Sequence, residues 1–408
     1  MTVIAQVQAA ASDPKALRAA VTEAHVVPLL MSLVQLTGRT EYLEQARPFI
    51  SGAWDYMQSI PGDLQATIRA DLVQAIVDTA ATGRHIPEEP PQELFQRMVD
   101  VAAGLPVPDI YLPVFLEEAA FGGRDLRKVD WRTPPPPERL DRVNAVVIGA
   151  GLSGVAMSVR LQQAGIPHVL IEKNAEAGGT WLENIYPGCG VDTPCHFYSY
   201  AFEVNPGWTE YFAKRSELHA YILKCVEKYG VRQRIRFSEE VLQADWDEAA
   251  SLWLVRTRSA DGSEAHLRCN VLISAVGALN RPAIPRIPGL EDFAGPCFHT
   301  AQWREDVDLA GKRVAMIGTG ASGMQTGPSI APAVDKLTIF QRSPHWAIHH
   351  PLYHAAVSPG VRWAMQHVPF YANWLRLQQF WAGVRPVPPD TADGSRVDGP
   401  GALAQCRQ

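Results

Sequence analysis

The sequence predicts an α/β chain with two Rossmann-like dinucleotide-binding domains preceded by an all-helical N-terminal extension. Three observations carry this. The apolar run Ala145-Val146-Val147-Ile148 leads into a glycine loop, a helical stretch and a second run, Val169-Leu170-Ile171. The same pattern returns at Arg313-Val314-Ala315-Met316-Ile317 and closes at Leu337-Thr338-Ile339-Phe340. Runs this short and this uniformly apolar belong to buried parallel strands, so each pattern reads as a βαβ unit. Before residue 123 apolar residues recur at helical spacing instead.

The 408 residues allow two to four domains at roughly 100–200 residues each. Hydrophobic residues at 47% and charged residues at 20% exclude a disordered, fibrous or coiled-coil chain. A net charge of -6 without an extended basic run argues against nucleic acid, because phosphate binding needs clustered Lys and Arg. Small molecules are the expected partners. The apolar stretch from Val26 to about Leu36 is shorter than the roughly 20 residues that span a bilayer, so no membrane helix is expected. Asp13, Pro14 and Lys15 interrupt the place where a signal core would sit, and a cytoplasmic location is expected. Cys189, Cys195, Cys225, Cys269, Cys297 and Cys406 form no CxxC pair, so neither a metal site nor a disulfide framework is expected.

Residues 1–133 are read as the helical extension with a Pro-rich linker. Ser12-Asp13-Pro14 is an N-cap with Pro in the first turn, leading into Leu17, Ala20, Val21 and Ala24. A second helical run covers Leu64 to Val77, and Pro90-Pro91, Pro106 and Pro108 break the rest into short helices. Pro134-Pro135-Pro136-Pro137 predicts a stiff extended connector and a domain boundary. The first nucleotide domain is expected over 134–290, with a buried strand at Val271-Leu272-Ile273-Ser274-Ala275-Val276-Gly277 that ends beside the nucleotide and leads to the domain's exit. The second is expected over 291–384. Residues 385–408 lose apolar periodicity and read as a disordered tail.

Gly149-Ala150-Gly151-Leu152-Ser153-Gly154 has the glycines of a dinucleotide loop. Gly149 permits the tight turn, Gly151 lets backbone approach a pyrophosphate, and Gly154 lets the helix pack on the strand. Glu172, ending the second strand, accepts hydrogen bonds from ribose hydroxyls, which selects FAD or NAD and disfavours NADP. In the second loop, Gly318, Gly320, Ser322 and Gly323 take these places. No acid ends its second strand, where Gln341-Arg342 stands instead. Arg342 suits a 2'-phosphate, or is a stabilising surface Arg. The two loops therefore divide into an FAD site and an NADPH site.

The run from Phe293 through Gly295 and His299 to Trp303 matches an FxGxxxHxxxW pattern, and in this the chain resembles the flavin-dependent Baeyer-Villiger monooxygenases. The terminal Trp separates them from related N- and S-oxygenating flavoenzymes, and Arg304 departs from the family's usual Pro or Asp. Gly178-Gly179-Thr180-Trp181 and the block Asn184 to Asp192 resemble the family's flavin-contacting segment. The resemblance runs from about residue 1 to about 385 and is nearest to the 4-hydroxyacetophenone monooxygenase branch. It implies cofactor contacts from Gly179, Thr180, Trp181, Asp192 and Tyr198. It implies that NADPH reduces FAD, that O2 adds at flavin C4a, and that the peroxyflavin attacks a ketone to give an ester or lactone. Asp192 then orients a cation at the active site, or caps the turn after Gly190, and His299 and Trp303 are hinge residues between the two nucleotide domains, or a packed linker pair without direct chemistry. The spacing of Cys189 and Cys195 is too wide for a dithiol reductase. Loss of resemblance within the Trp374 to Ala382 stretch points to truncation before the family's catalytic Arg. A catalytically inactive nucleotide-binding fragment is thus an open alternative, as is N- or S-oxygenation. The apolar extension is a candidate homodimer element.

Overall fold

The computed structural model describes residues 2–50, 59–344 and 350–384. Asp13 ends α1 (Val3–Ser12) and starts α2 (Pro14–Glu23): its side chain accepts a hydrogen bond from Ala16 N at 3.0 Å, and Pro14 fills the first helical position. This is the expected cap, with one more helix before it than the spacing predicted. α3 (Val26–Thr37) is apolar on every side, and it is buried from Val26 to Leu36 as the central helix of the extension. Around it lie α4 (Glu41–Ala46), α5 (Gly62–Thr82) and α6 (Gln92–Ala103), and α7 (Leu112–Ala119) follows in the chain. Gly38, Gly83 and Gly104 stop α3, α5 and α6 in the left-handed conformation that glycine adopts without strain.

The Pro run is not extended throughout. Pro137 begins α8 (Pro137–Leu140), because the first helical position needs no N–H and accepts the fixed φ of proline.

The first βαβ unit follows as β1 (Ala145–Ile148), α9 (Leu152–Gln163) and β2 (His168–Ile171), with β1 and β2 paired in parallel from Ala145 opposite His168 to Ile148 opposite Ile171. After α10 (Thr180–Glu183) and α11 (Arg215–Lys228), β3 (Ile235–Arg236) joins β2. The sequence reading had no place for what comes next, an antiparallel sheet of β4 (Glu239–Asp247), β5 (Leu252–Ser259) and β6 (Glu264–Cys269). It packs on the parallel sheet through Val255 and Cys269, which are buried with Val146 and Ile171. The chain returns as β7 (Val271–Ser274) beside β1, giving the order β3-β2-β1-β7. β7 was expected to be buried. It is an edge strand, which leaves Val271 and Val276 exposed.

The second unit is β8 (Arg313–Ile317), α12 (Ala321–Ile330) and β9 (Lys336–Phe340), with parallel register from Arg313 opposite Lys336 to Ile317 opposite Phe340. This two-stranded sheet leaves Ile317, Ile339 and Phe340 exposed. Two further helices, α13 (Pro359–His367) and α14 (Tyr371–Val384), turn back to the extension. α13 packs on α2, where Glu23 accepts a bond from Gly360 N at 2.8 Å. α14 packs on α3 and α7, where Trp374 Nε1 donates to Gln35 Oε1 at 2.8 Å. The main apolar core therefore runs without a break from Val7 and Leu17 through Trp374 to Val147 and Tyr221. The tail read over 385–408, with Cys406, lies outside the described residues.

Candidate nucleotide-binding sites

The first glycine loop is shaped by three backbone approaches. Gly149 has φ +101°, donates its N–H to Ile171 O at 2.8 Å, and leaves a place where a Cβ would stand 2.8 Å from Ala275 O. A Cβ on Gly154 would overlap the carbonyl of Gly149, so α9 and β1 can approach only as glycine permits. Gly179, at φ +54°, meets Gly151 so closely that a Cβ on it would lie 2.9 Å from Gly151 Cα. Gly151 is also the N-cap of α9, so the free N–H groups of that helix start where the two glycine segments face one another.

A cavity of about 600 Å³ opens there, lined by Gly149, Gly151, Glu172, Gly179, Thr180, Trp181 and Tyr198. Ligand pockets fall at about 300–1,000 Å³, so the space is ample for a nucleotide. Glu172 is only 4% exposed. Its carboxylate accepts from Ala150 N at 2.8 Å, from Asn174 N at 2.9 Å and from Asn174 Nδ2 at 2.8 Å. A carboxylate offers about four acceptor positions, which leaves one for a ribose hydroxyl. Trp181 Nε1 donates to Tyr198 Oη at 3.3 Å, with the rings edge to face. Burial, and then the charge of Asp192, raise the pKa of the Tyr198 hydroxyl.

The opposite wall is formed by Glu239, Glu240 and residues 276–281, of which sequence reasoning placed only the strand end at Val276-Gly277 beside a nucleotide and missed the rest. These follow β3 and β7, and only the sheet order brings them to the loop.

Asp192, His299 and Trp303 do not line this cavity. Asp192 is exposed and accepts from Thr193 Oγ1 at 3.5 Å. His299 Nδ1 accepts from Ala301 N at 3.1 Å and so caps a single 3-10 turn, Thr300–Gln302. Trp303 is half-buried against the main core, with Phe298 edge-on at 5.2 Å.

The second loop repeats the first in outline. Gly318 has φ +102° and donates to Phe340 O at 2.9 Å, and a Cβ on Gly323 would stand 2.8 Å from Gly318 O. Gly320 caps α12 and has open space where a side chain would be. Ser322 sits in the first turn of α12, facing Tyr186. Gln341 Nε2 donates to Thr319 Oγ1 at 3.0 Å, while Arg342 is exposed and has no hydrogen bond or ion pair among the described residues.

A third set, invisible in the sequence, braces the Tyr198 loop. Arg376 on α14 donates at 3.0 Å to the carbonyls of His196 and Phe197 and to Ser199 Oγ, and at 2.8 Å to Glu118 on α7. His196 is fully buried, its two ring nitrogens without a hydrogen-bond partner among the described residues, and burial holds its pKa down to about 3. Among the described residues there is no cluster of metal-ligating side chains, and no helix is long and apolar enough to cross a membrane.

Comparison with known proteins places this geometry. The family model described as pyridine nucleotide-disulphide oxidoreductase matches residues 146–373. An uncharacterized monooxygenase, y4iD, of Sinorhizobium fredii is 35% identical over 364 residues, covering 89% of this chain and 54% of that protein. A Baeyer-Villiger monooxygenase of Pseudomonas aeruginosa is 41% identical over 258 residues, covering 63% of this chain and 47% of its own. A crystal structure of cyclohexanone monooxygenase with ε-caprolactone bound, in the loose conformation, superimposes with TM-score 0.50 at 33% identity, over 57% of this chain and 45% of that one. The chain spans about half the length of the curated relatives it matches. The paired glycine loops and these likenesses agree: the chain belongs to the pyridine nucleotide-disulphide oxidoreductase family, and within it is similar to the flavin-dependent Baeyer-Villiger monooxygenases.

Proposed function

We propose that this chain binds FAD in the first glycine-loop cavity and NADPH at the second, and acts as a monooxygenase that inserts one atom of O2 beside a ketone carbonyl. The product is an ester or lactone. The observation that carries the reading is the cradle in which Gly151 and Gly179 face each other at the start of α9, so close that a side chain on Gly179 would collide with the Gly151 backbone, beside free helix N–H groups of the kind that hold a pyrophosphate.

FAD, when bound, supplies the redox and oxygen chemistry, and the protein supplies binding, orientation and fixed charge. The α9 N-terminus holds the pyrophosphate, and the remaining acceptor position of Glu172 takes a ribose hydroxyl. Trp181 and Tyr198 line the cavity with their aromatic rings. Arg342, unpaired among the described residues, takes the 2'-phosphate of NADPH. Asp192 orients a cation at the reacting end, and His299 and Trp303 form the hinge between the two nucleotide units, a role supported by their packing in the connecting segment.

The visible spectrum of the purified chain with FAD, followed by NADPH under anaerobic conditions, tests the cofactor reading. Bleaching of the flavin band supports it, and a chain that retains no flavin overturns it. Supplying ketones and amines side by side under air separates Baeyer-Villiger from N- or S-oxygenation. One observation favours a second reading, nucleotide binding without oxygenation: among the described residues Asp192 is paired with no cation. Flavin bleaching without any oxygenated product would select it.

The cytoplasmic location and the 4-hydroxyacetophenone-type branch belong to the same proposal. The first is supported by four buried free cysteines, the second by the helical extension. So does a homodimer through the extension, supported by exposed Ile110, Tyr111 and Val114, and sedimentation checks it.

A further inference from the structure

We propose that Gln325 is a positioning residue that fixes the second glycine loop relative to the segment carrying Asp192, so that nucleotide bound at α12 is held in register with the flavin cavity. The inference rests on the reading of function above.

Gln325 belongs to the second unit, yet each of its side-chain bonds goes to the first. Tyr186 Oη donates to Gln325 Oε1 at 3.0 Å, and Gly190 N donates to the same oxygen at 3.4 Å. Gln325 Nε2 in return donates to Gly190 O at 2.8 Å. The carboxamide thus pairs with both backbone groups of one residue, as a strand neighbour would, and adds the tyrosine hydroxyl. An amide is the side chain that both donates and accepts in this way.

The contact is built to be close. Gly188 has φ +81°, and a Cβ on it would stand 2.5 Å from Gln325 O and would collide with Ser329 Oγ. Ser322, Gln325 and Ser329, spaced by three and four residues, present one face of α12 to this loop. Tyr186 is buried, which pushes its hydroxyl pKa up to about 12 and keeps it a neutral donor.

The bridge joins two functional ends. The N-terminus of α12, less than two turns from Gln325, is where the second loop meets its nucleotide. Two residues beyond Gly190 stands Asp192, and the far side of the same segment starts at α10, whose Thr180 and Trp181 line the flavin cavity. Hydride transfer between two bound nucleotides depends on their separation, and a misplacement of about 1 Å costs about a hundredfold.

The test uses the full chain with FAD and compares wild type with Gln325→Leu and Gly188→Ala. The second variant wedges α12 away by an independent route. We expect FAD retention in Gln325→Leu, an apparent NADPH affinity changed by less than about threefold, and a limiting rate of anaerobic flavin reduction lowered about tenfold or more, with the same fall in rate in Gly188→Ala at some cost in melting temperature. Reduction by dithionite should be unaltered. Tyr186→Phe, which removes one bond of three, should fall between. A reduction rate within twofold of wild type in Gln325→Leu overturns the proposal, as does loss of FAD binding in that variant, which marks a merely structural role.

Amide exchange with NADP+ gives a readout independent of turnover. In wild type, NADP+ should slow exchange at both 318–323 and 186–192, and in Gln325→Leu only at 318–323. Protection confined to 318–323 in wild type overturns the positioning role alone. No protection and no bleaching in wild type overturn the functional reading, and this inference with it.

Discussion

Arg376 Nη2 on α14 and Glu118 Oε2 on α7 form a buried ion pair at 2.8 Å, in side chains only 4% and 8% exposed. The helical extension is thereby tied to the flavin cavity, because the other nitrogen of the same guanidinium holds the carbonyls of His196 and Phe197, and Tyr198 comes next in the chain. Burial lowers the pKa of Arg376, against which the charge of Glu118 acts.

Breaking this pair should cost stability and then flavin. Glu118→Ala strands a guanidinium in the core, at a cost of about 3–5 kcal/mol. A fall in the urea midpoint accompanied by weaker FAD retention is the expected outcome. A midpoint equal to wild type would show that Arg376 finds other partners.

Glu172→Ala should weaken FAD binding through the protein as well as through the ribose. It leaves Ala150 N and Asn174 without their buried acceptor, at about 1–3 kcal/mol. Fluorescence titration with FAD, set beside melting of the flavin-free chain, separates the two contributions.

Acid should destabilise the chain through His196. Burial first, and the nearby His25 second, depress its folded pKa to about 3, against 6.5 for the free side chain. Between these values the unfolded chain binds the extra proton. The neutral His196 contribution is therefore complete above pH 6.5 and is lost as pH falls toward 3, by up to about 1.4 kcal/mol per pH unit. Melting curves from pH 7 to pH 4.5 should show a steeper decline for wild type than for His196→Leu. Parallel declines would exclude this residue as the source.

Arg342→Ala should lower the preference for NADPH over NADH by about tenfold or more, with NADH little affected, because one charge-assisted contact to phosphate is lost. Reduction rates with each nucleotide check this.

Much of the site could be read in the sequence because its determinants are local. Gly149 and Gly318 are required by their positive φ, and Gly154 and Gly323 by close backbone approaches within a single turn, so their repeated spacing reveals the loop. Glu172 was legible for the same reason, since it stands at the end of the strand next to that loop. Asp13 was legible as a cap because a cap is decided by a few neighbouring residues.

Tertiary structure decided what depends on partners distant in the chain. The wall at Glu239, Glu240 and 278–281 exists because an antiparallel sheet intervenes between β3 and β7, and nothing in those residues announces a cavity. Strand β7 is exposed although its residues are apolar, since its place at the sheet edge and not its composition sets its burial. Arg376 and Gln325 looked like ordinary polar residues of two helices. They became a clamp and a bridge because folding brought Glu118 and Gly190 within hydrogen-bond reach, and a hydrogen bond carries no trace in the sequence when its partners lie 258 and 135 positions apart.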